Sequence, residues 1–251
     1  MRKPIIFIIL VIIVALGSYM VMNQDTATTP TQVSQSPKPP EKTSKTASFS
    51  GVPLRFIEGV HFETISATVP TSSPKITEYI SYYCPHCLNM EVKYLSTIKK
   101  LLDQKVAFEK RHVDFVPSPI AKEVVRAMAT MQVLGVENQL TMPMFNAVQD
   151  KEAHDHKGEH KHDHSKAGTL SNRADIRALF IQHGVSANDY DQAVTSQAVS
   201  DKLSLWAKDQ QRLKISGVPA FIINEKYLVK FESVSNLQEA ADLMNYLALT
   251  H

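Results

Sequence analysis

The sequence predicts an α/β fold in which strands and helices alternate at both ends of the folded region and helices alone occupy the middle. An apolar strand over 76–83 precedes an amphipathic helix over 88–102, and a second strand follows at 106–113. Such a βαβ unit places its two strands parallel. The closing elements are predicted as a strand over 217–223, a turn at Asn224-Glu225, a strand over 226–230 and a helix over 237–249.

The middle of the chain carries four helical patterns. The first begins at Ser118-Pro119, where a capping residue precedes proline at the first helical position, and it ends before Gly135. The second, over 138–147, contains Pro143, a residue type that breaks many helices. The remaining two are predicted as a helix that starts at Ser171-Asn172 and a single long helix over 188–213.

The order βαβ, helical insert and ββα is that of a thioredoxin fold with a helical domain inserted in its middle. The first part of this fold spans 51–116, the insert 117–214 and the second part 215–251. A folded region of about 200 residues needs no disulfide staples to be stable. The only two cysteines, Cys84 and Cys87, are therefore free for chemistry.

The charge balance argues against nucleic acid as a partner. The chain has 27 Lys and Arg against 25 Asp and Glu, so its formal net charge is +2 at pH 7. A nucleic-acid-binding domain usually carries a larger basic excess concentrated on one face. The partners must therefore be predicted from the motifs.

The first 22 residues predict export from the cytoplasm. Arg2 and Lys3 form a positive n-region, an unbroken apolar run follows over 5–16, and Ala15-Leu16-Gly17 offers the small residues of a cleavage site. As a helix, residues 4–22 would also span roughly 28 Å, close to the thickness of a bilayer core. A cleaved signal peptide and a retained membrane anchor for 1–22 both stay open, and either places the rest of the chain outside the cytoplasm.

Residues 23–50 predict a disordered polar linker. This stretch is rich in Thr, Ser, Pro, Gln and Lys and has almost nothing to bury. As a flexible coil it would reach on the order of 30 Å, which suits an N-terminus that stays in the membrane. The alternative is an unstructured leader without a role of its own.

The sequence Cys84-Pro85-His86-Cys87 lies where the predicted strand gives way to the predicted helix. There the Cys84 thiolate would face unpaired backbone N–H groups and the positive end of the helix dipole, and a protonated His86 would stabilise it further. Pro85 fits because its missing N–H would have no partner in the first turn. Cys87, deeper in the helix, is suited to resolve a mixed disulfide. Stabilising the thiolate favours the reduced form, which makes the disulfide a good donor.

A single Cys-x-x-Cys pair also fits half of a zinc site. The redox interpretation is favoured because the chain lacks a second such pair and because this one joins a strand to a helix.

The cysteine sequence after an aromatic-rich strand, together with Gly217-Val218-Pro219-Ala220 far downstream, closely resembles the periplasmic disulfide oxidases of the DsbA family. The resemblance covers about 51–249 and includes 133–137 and 171–178. It implies a cis peptide between Val218 and Pro219, placed against the cysteines. An X-Pro bond can be cis at modest cost, and the exposed backbone would accept an extended substrate.

Three charged residues also match the family, in which they form a cluster under the active site: Glu78 on the first strand, Glu91 in the helix and Lys110 on the neighbouring strand. A buried carboxylate beside Cys87 could relay its proton, with Lys110 offsetting the charge. The alternative is that Glu91 is a solvated helix residue and Lys110 an edge-strand charge.

A histidine-rich loop interrupts the helical insert at 152–166. It holds five histidines among acidic residues and lysines: His154, His156, His160, His162 and His164. Neutral imidazoles at this density can bind zinc, copper or nickel. A solvated low-complexity loop without a functional metal is the favoured interpretation.

The sequence thus predicts a thiol:disulfide oxidase that needs no cofactor beyond the Cys84–Cys87 disulfide. We expect a monomer in the periplasm that donates disulfides to reduced exported proteins and that, if residues 4–22 are retained, is tethered by them to the inner membrane. The family resemblance implies a quinone-linked membrane reoxidant of the DsbB type. The rival functions are a reductase or isomerase of the same fold and a metal-binding protein, but 23–50 is too short and polar for the added domain through which such isomerases dimerise.

Overall fold

The computed structural model describes residues 55–66, 73–149 and 170–250. The predicted signal or anchor (1–22), the linker (23–50) and the histidine-rich loop (152–166) lie outside the described residues and stay predictions. Within the described ranges, no helix is long and apolar enough to cross a membrane.

One mixed sheet of five strands forms the centre of the fold, in the order β1-β5-β4-β2-β3. The pair β2–β3 is parallel, and the other neighbours are antiparallel. The strands are β1 (Phe62–Thr64), β2 (Lys75–Ile80), β3 (Ala107–His112), β4 (Ala220–Ile223) and β5 (Tyr227–Val229). The parallel pair is the one that the βαβ pattern predicts.

The helices fall into those that complete the thioredoxin fold and those of the insert. The first group is α1 (Pro85–Met90), a π-helical segment (Glu91–Leu95), α2 (Ser96–Leu101) and α8 (Leu237–Thr250), with a short 3₁₀ turn at Phe231–Ser233. The insert consists of α3 (Pro119–Leu134), α4 (Glu137–Gln149), α5 (Arg173–Gln182), α6 (Ala187–Val194) and α7 (Gln197–Arg212). The predicted fold class, α/β with a helical insert, is confirmed.

Two large apolar clusters hold these elements together. In one, buried residues of β2 and β4 pack against α2 and α8, as Ile76, Phe221 and Leu243 illustrate. In the other, the end of β2 and the cysteine segment pack against the insert, and Tyr82 is fully buried there. The active-site segment therefore lies between the two halves of the core.

Several predicted boundaries are confirmed by their capping contacts. The Ser118 side chain accepts a hydrogen bond from the Ala121 N–H, and Gly135 ends α3 with a φ of 70°. Asn172 forms a capping box with Asp175 at the start of α5. The hairpin turn at Asn224-Glu225 has positive φ at both residues, as a two-residue turn with matching twist requires.

The prediction of one long helix over 188–213 is wrong. The chain forms α6 and α7 instead, because the Ser196 hydroxyl accepts a hydrogen bond from the Val199 N–H and starts a new helix. Pro143, by contrast, does not break α4. The side chains around it, Leu140, Met144 and Phe145, are fully buried, and their packing offsets the backbone hydrogen bond that proline removes.

The strand predicted over 76–83 ends earlier, at Ile80. The Ser81 hydroxyl accepts a hydrogen bond from the Tyr83 N–H and the Ser81 carbonyl accepts one from the Cys84 N–H, so 81–84 form a turn. The helix predicted over 88–102 is continuous but includes one π-helical turn, Glu91–Leu95.

Candidate active site

Cys84 occupies the N-cap position of α1. Its Sγ accepts a hydrogen bond from the Cys87 N–H at 3.3 Å, and its thiol donates to the Val218 carbonyl, also at 3.3 Å. Pro85 follows at the first helical position. The side chain is half-buried, so its sulfur can meet a partner thiol. This is the arrangement predicted for a thiolate stabilised by a helix N-terminus.

Cys87 differs from Cys84 in accessibility. It is buried, with 1% of its surface exposed. Burial raises the pKa of the Cys87 thiol, and the adjacent Cys84 and the charge of Glu78 raise it further. Cys87 is thus a poor nucleophile toward outside partners and a group that needs a proton acceptor before it can attack.

Val218 and Pro219 close the site from the other half of the thioredoxin fold. The peptide between them is cis, and the Val218 carbonyl faces Cys84. Beside them lies an open groove of about 700 Å³, lined by 213–220 and by residues of β5 and the end of β1. An extended chain could lie in it next to the cysteines.

Glu78, Glu91 and Lys110 come together below the cysteines. Glu78 is 1% exposed and lies opposite Lys110 in the β2–β3 register. Lys110 forms an ion pair with Glu91, with 2.5 Å between Nζ and Oε2. This geometry agrees with the expected cluster of three residues. It does not agree with the alternative, in which Glu91 and Lys110 are solvated and separate. Glu91 reaches Lys110 from the π-helical turn, which the sequence did not predict.

The Glu78 carboxyl is a strongly perturbed acid. Burial raises its pKa to about 8; the charge of Lys110 opposes this rise and that of Glu91 adds to it. Its Oε2 atom has no hydrogen-bond partner in the part of the chain that the structure describes. A carboxyl with this pKa can take up or release a proton near neutral pH.

His86 is exposed in the first turn of α1. In the described part of the chain, it makes no hydrogen bond to Cys84. Any effect of His86 on the sulfur would therefore act through its charge, or through contacts formed only in a complex with a partner protein.

Two residues outside the predicted site hold the turn that leads to Cys84. His112 Nε2 accepts a hydrogen bond from the Tyr82 N–H at 2.8 Å, and its Nδ1–H donates to the Val113 carbonyl at 2.7 Å. Gln149, the last residue of α4, donates from Nε2 to the carbonyls of Tyr82 and Cys84, at 2.8 and 3.1 Å. Gln149 was not predicted from the sequence, because a glutamine at a helix end carries no signal of a partner 65 residues away.

The five histidines considered as candidate metal ligands, at positions 154–164, lie outside the described residues. Elsewhere, within the described ranges, no group of three or more His, Cys, Asp or Glu side chains has a geometry suited to a metal ion.

Comparison with known proteins agrees with this geometry. The model of the DSBA-like thioredoxin domain family matches residues 75–242. The thiol:disulfide interchange protein DsbA of Yersinia pestis is 31% identical over 207 residues, which cover 79% of this chain and 91% of that protein. DsbA of Salmonella typhimurium is 32% identical over the same shares.

Solved structures are similar as well. DsbA from Proteus mirabilis is 30% identical, with a TM-score of 0.65, over 78% of this chain and 98% of that one. The same protein has been solved with a non-covalently bound peptide, PWATCDS. The chain described here therefore belongs to the family of DSBA-like thioredoxin domains and is a thiol:disulfide oxidoreductase.

Proposed function

We propose that this oxidoreductase donates disulfide bonds to reduced exported proteins through Cys84 and Cys87. The observation that carries the proposal is the contrast between a half-buried Cys84 at a helix N-terminus and a buried Cys87. A substrate thiolate attacks Cys84 of the enzyme disulfide, and Cys87 leaves. A second substrate thiolate then attacks the substrate sulfur of the mixed disulfide, and Cys84 leaves. The substrate loses two electrons and two protons, and the enzyme ends as a dithiol.

The direction of transfer follows from the stability of the reduced form. As the N-cap of α1, the Cys84 thiolate accepts the Cys87 N–H and lies at the positive end of the helix dipole. About 1.4 kcal/mol of such stabilisation corresponds to roughly 30 mV in the potential of a two-electron couple. A thiolate stabilised by several kcal/mol therefore belongs to a disulfide donor.

Glu78 is proposed to exchange a proton with Cys87. When Cys87 leaves as a thiolate it needs a proton, and when the dithiol is reoxidised it must lose that proton. The pKa of Glu78, raised to about 8 by burial, lies where a carboxyl can serve both steps. The charges of Lys110 and Glu91 would tune this acid, since Lys110 lowers its pKa and Glu91 raises it.

The groove beside Val218 and Pro219 is proposed to receive the substrate. Val218 and Pro219 line this groove, and the Val218 carbonyl lies 3.3 Å from the Cys84 sulfur. The Proteus mirabilis relative has been solved with a peptide that contains one cysteine. We infer the same class of ligand, an extended cysteine-containing segment, for this chain.

Export to the periplasm and a monomeric state are part of the proposal. The signal or anchor predicted at 1–22 would place the domain outside the cytoplasm, with tethering through 4–22 if it is retained. Each turnover leaves a dithiol, so an oxidant is required, and a quinone-linked membrane protein of the DsbB type is the partner that we expect.

A redox titration of the Cys84–Cys87 pair in glutathione buffers tests this function. Trp206 provides a possible fluorescence signal, and alkylation of free thiols provides an independent one. We expect a potential well above that of glutathione. A low, thioredoxin-like potential would make the protein a reductase and overturn the proposal. Cys84→Ser, which removes the pair, is the control for the signal.

Metal binding by the five histidines at 154–164 is a separate hypothesis that the sequence alone supports. Calorimetry with zinc on the whole protein and on a variant lacking 152–166 tests it. Tight binding that disappears with the deletion would support a metal site, and binding that is weak or unaffected would remove the hypothesis.

A further inference from the structure

The turn that carries Cys84 is held by the helical insert as well as by the thioredoxin fold. Tyr82, at the centre of this turn, is fully buried, and its ring packs against Phe145 of α4 with 4.7 Å between ring centroids. Its N–H donates to His112 Nε2. Its carbonyl points the other way, toward α4 and Gln149. The backbone of the turn is thus fixed on both sides of Tyr82.

Gln149 makes two contacts to this backbone with one atom. Its Nε2 donates to the Tyr82 carbonyl at 2.8 Å and to the Cys84 carbonyl at 3.1 Å. The Cys84 carbonyl also accepts the first helical hydrogen bonds of α1, from the N–H groups of Cys87 and Leu88. The Gln149 amide is therefore bonded to the same residue whose sulfur carries out the chemistry.

The position of this amide favours a negative charge on Cys84. One of these carbonyl oxygens belongs to Cys84 itself and the other lies two residues before it, on Tyr82. Both carry partial negative charge, and the Nε2 hydrogens neutralise part of it. Without them, two carbonyls in a largely buried turn would lose a donor. In the oxidised enzyme, loss of the Gln149 donor removes these hydrogen bonds and nothing else. In the reduced enzyme, the same loss also strengthens the repulsion between the two carbonyls and the Cys84 thiolate, so the reduced form is destabilised more.

We propose that Gln149 is a positioning residue that stabilises the reduced state of the Cys84–Cys87 pair. The inference rests on the proposed disulfide-donor function and extends it: part of the oxidising power comes from the helical insert, through one side-chain amide. A purely structural role would destabilise both redox states equally and leave the exchange equilibrium unchanged. The two roles therefore differ in a measurable quantity.

The test is the equilibrium constant with glutathione, measured on the whole protein and on two variants. Gln149→Met keeps the length and packing of the side chain but removes the donor, and Gln149→Glu replaces it by an acceptor with a negative charge. We expect Gln149→Met to shift the equilibrium about fivefold toward the disulfide form and Gln149→Glu to shift it further. An unchanged constant in both variants would overturn the inference, whatever their loss of stability.

Asn245→Leu is the matched control. Asn245 is a side-chain amide on α8 that bridges two backbone groups, the Leu101 carbonyl and the Asp103 N–H, far from the cysteines. Its loss should lower the free energy of unfolding of both redox forms and leave the glutathione equilibrium within twofold of the parent protein. A comparable redox shift in this control would show that general destabilisation explains the result, and it would contradict the proposed role of Gln149.

Failure of the proposed function gives a different result. If the unmodified protein itself has a low potential, the donor function is wrong, whereas the comparison between variants still reports on Gln149. If the unmodified protein is oxidising and the Gln149 variants match it, only the inference is wrong.

Discussion

Two ionic clusters lie on opposite faces of the same pair of strands, and they differ in how their carboxylates are paired. Lys110 and Arg111 are neighbours on β3, so their side chains point to opposite faces of the sheet. Lys110 belongs to the cluster under the cysteines, with Glu78 and Glu91. Arg111 belongs to a second cluster, which ties the sheet to α7 and contains Glu109, Asp209, Arg212 and Glu225.

In the Arg111 cluster, the carboxylates are bonded to arginine side chains. One arm of the Arg111 guanidinium bonds to Asp209, and the other to Glu109 with 2.5 Å between Nη2 and Oε1. Arg212 bonds to the second oxygen of Asp209. For Glu109, burial would raise the pKa, but the charges of Arg111 and Lys75 outweigh it and hold the pKa below its ordinary value. These carboxylates act as structural anions.

The Glu78 cluster leaves its central acid without such a partner. Lys110 forms its ion pair with Glu91, and Glu78 Oε2 lacks a hydrogen-bond partner in the described part of the chain. Burial then dominates and the Glu78 pKa rises to about 8. Two differences therefore separate these acids. Glu109 has 38% of its side chain exposed and is bonded to a guanidinium, whereas Glu78 is buried without such a partner and titrates near neutral pH.

The largest expected effect comes from breaking the Arg111 cluster. Arg111→Met leaves Asp209 buried beside one remaining cation, and we expect the free energy of unfolding to fall by about 3 kcal/mol. Because this cluster lies on the other face of the sheet from the cysteines, the glutathione equilibrium should not change. Urea unfolding and redox titration check both statements. The double variant Arg111→Met, Asp209→Leu should regain much of the loss; a redox shift would contradict the separation of the two clusters.

Glu78→Gln should raise the free energy of unfolding, whereas Arg111→Met should lower it. The folded-state pKa of Glu78, about 8, lies above the ordinary 4.5, so its contribution to stability is full below pH 4.5 and is lost as the pH rises toward 8. Replacing it should stabilise the protein by about 3 kcal/mol at pH 7 and by nothing at pH 4. Urea unfolding at the two pH values measures this.

Two companion measurements sharpen that prediction. The matched variant Glu109→Gln removes a paired acid and should lower stability at pH 7. Glu78→Gln should also alter the pH profile of Cys87 alkylation, since the Glu78 charge raises the pKa of Cys87. An unchanged profile would contradict a proton relay through Glu78.

His112 is a buried base, and burial shifts its pKa in the direction opposite to that of the Glu78 carboxyl. Burial lowers the pKa of His112 to about 4, below the ordinary 6.5. Its contribution is therefore full above pH 6.5 and is lost as the pH falls toward 4, because the unfolded chain binds the proton first. The His112 contribution falls by roughly 2 kcal/mol between pH 7 and pH 5, while the Glu78 contribution rises over the same range. His112→Gln, which can still accept from the Tyr82 N–H, should remove this loss, so the stability of the variant should rise more steeply than that of the parent protein as the pH falls; an identical urea-unfolding profile would contradict the assignment.

The smallest effect is expected for Glu91→Gln. The Glu91 charge raises the pKa of Glu78 and engages Lys110, so its removal should lower the Glu78 pKa. The pH at which Glu78 affects stability should move down, while the free energy of unfolding changes by about 1 kcal/mol or less. A move in the other direction would contradict the effect assigned to the Glu91 charge.

Sequence patterns predicted what is encoded locally. The passage from strand to helix around Cys84, the helix start at Ser118 and the hairpin at Asn224-Glu225 each depend on residues within one turn of each other. The family resemblance added the cis peptide before Pro219 and the cluster around Glu78, which join distant segments.

The features that sequence analysis missed depend on contacts between distant residues or on a close competition. Gln149 and Asp209 look like ordinary helix residues, and only tertiary packing brings them to Cys84 and Arg111. The break between α6 and α7 was missed because a serine inside a helical pattern caps a new helix only when the chain bends there.

The stability of the two redox forms tests the central claim most directly. If the Cys84–Cys87 disulfide is a donor, thiolate stabilisation must make the dithiol form the more stable of the two, and the reduced protein should unfold at a higher urea concentration than the oxidised protein. A structural disulfide does the reverse, because it constrains the unfolded chain. A reduced protein that unfolds first would contradict the disulfide-donor function.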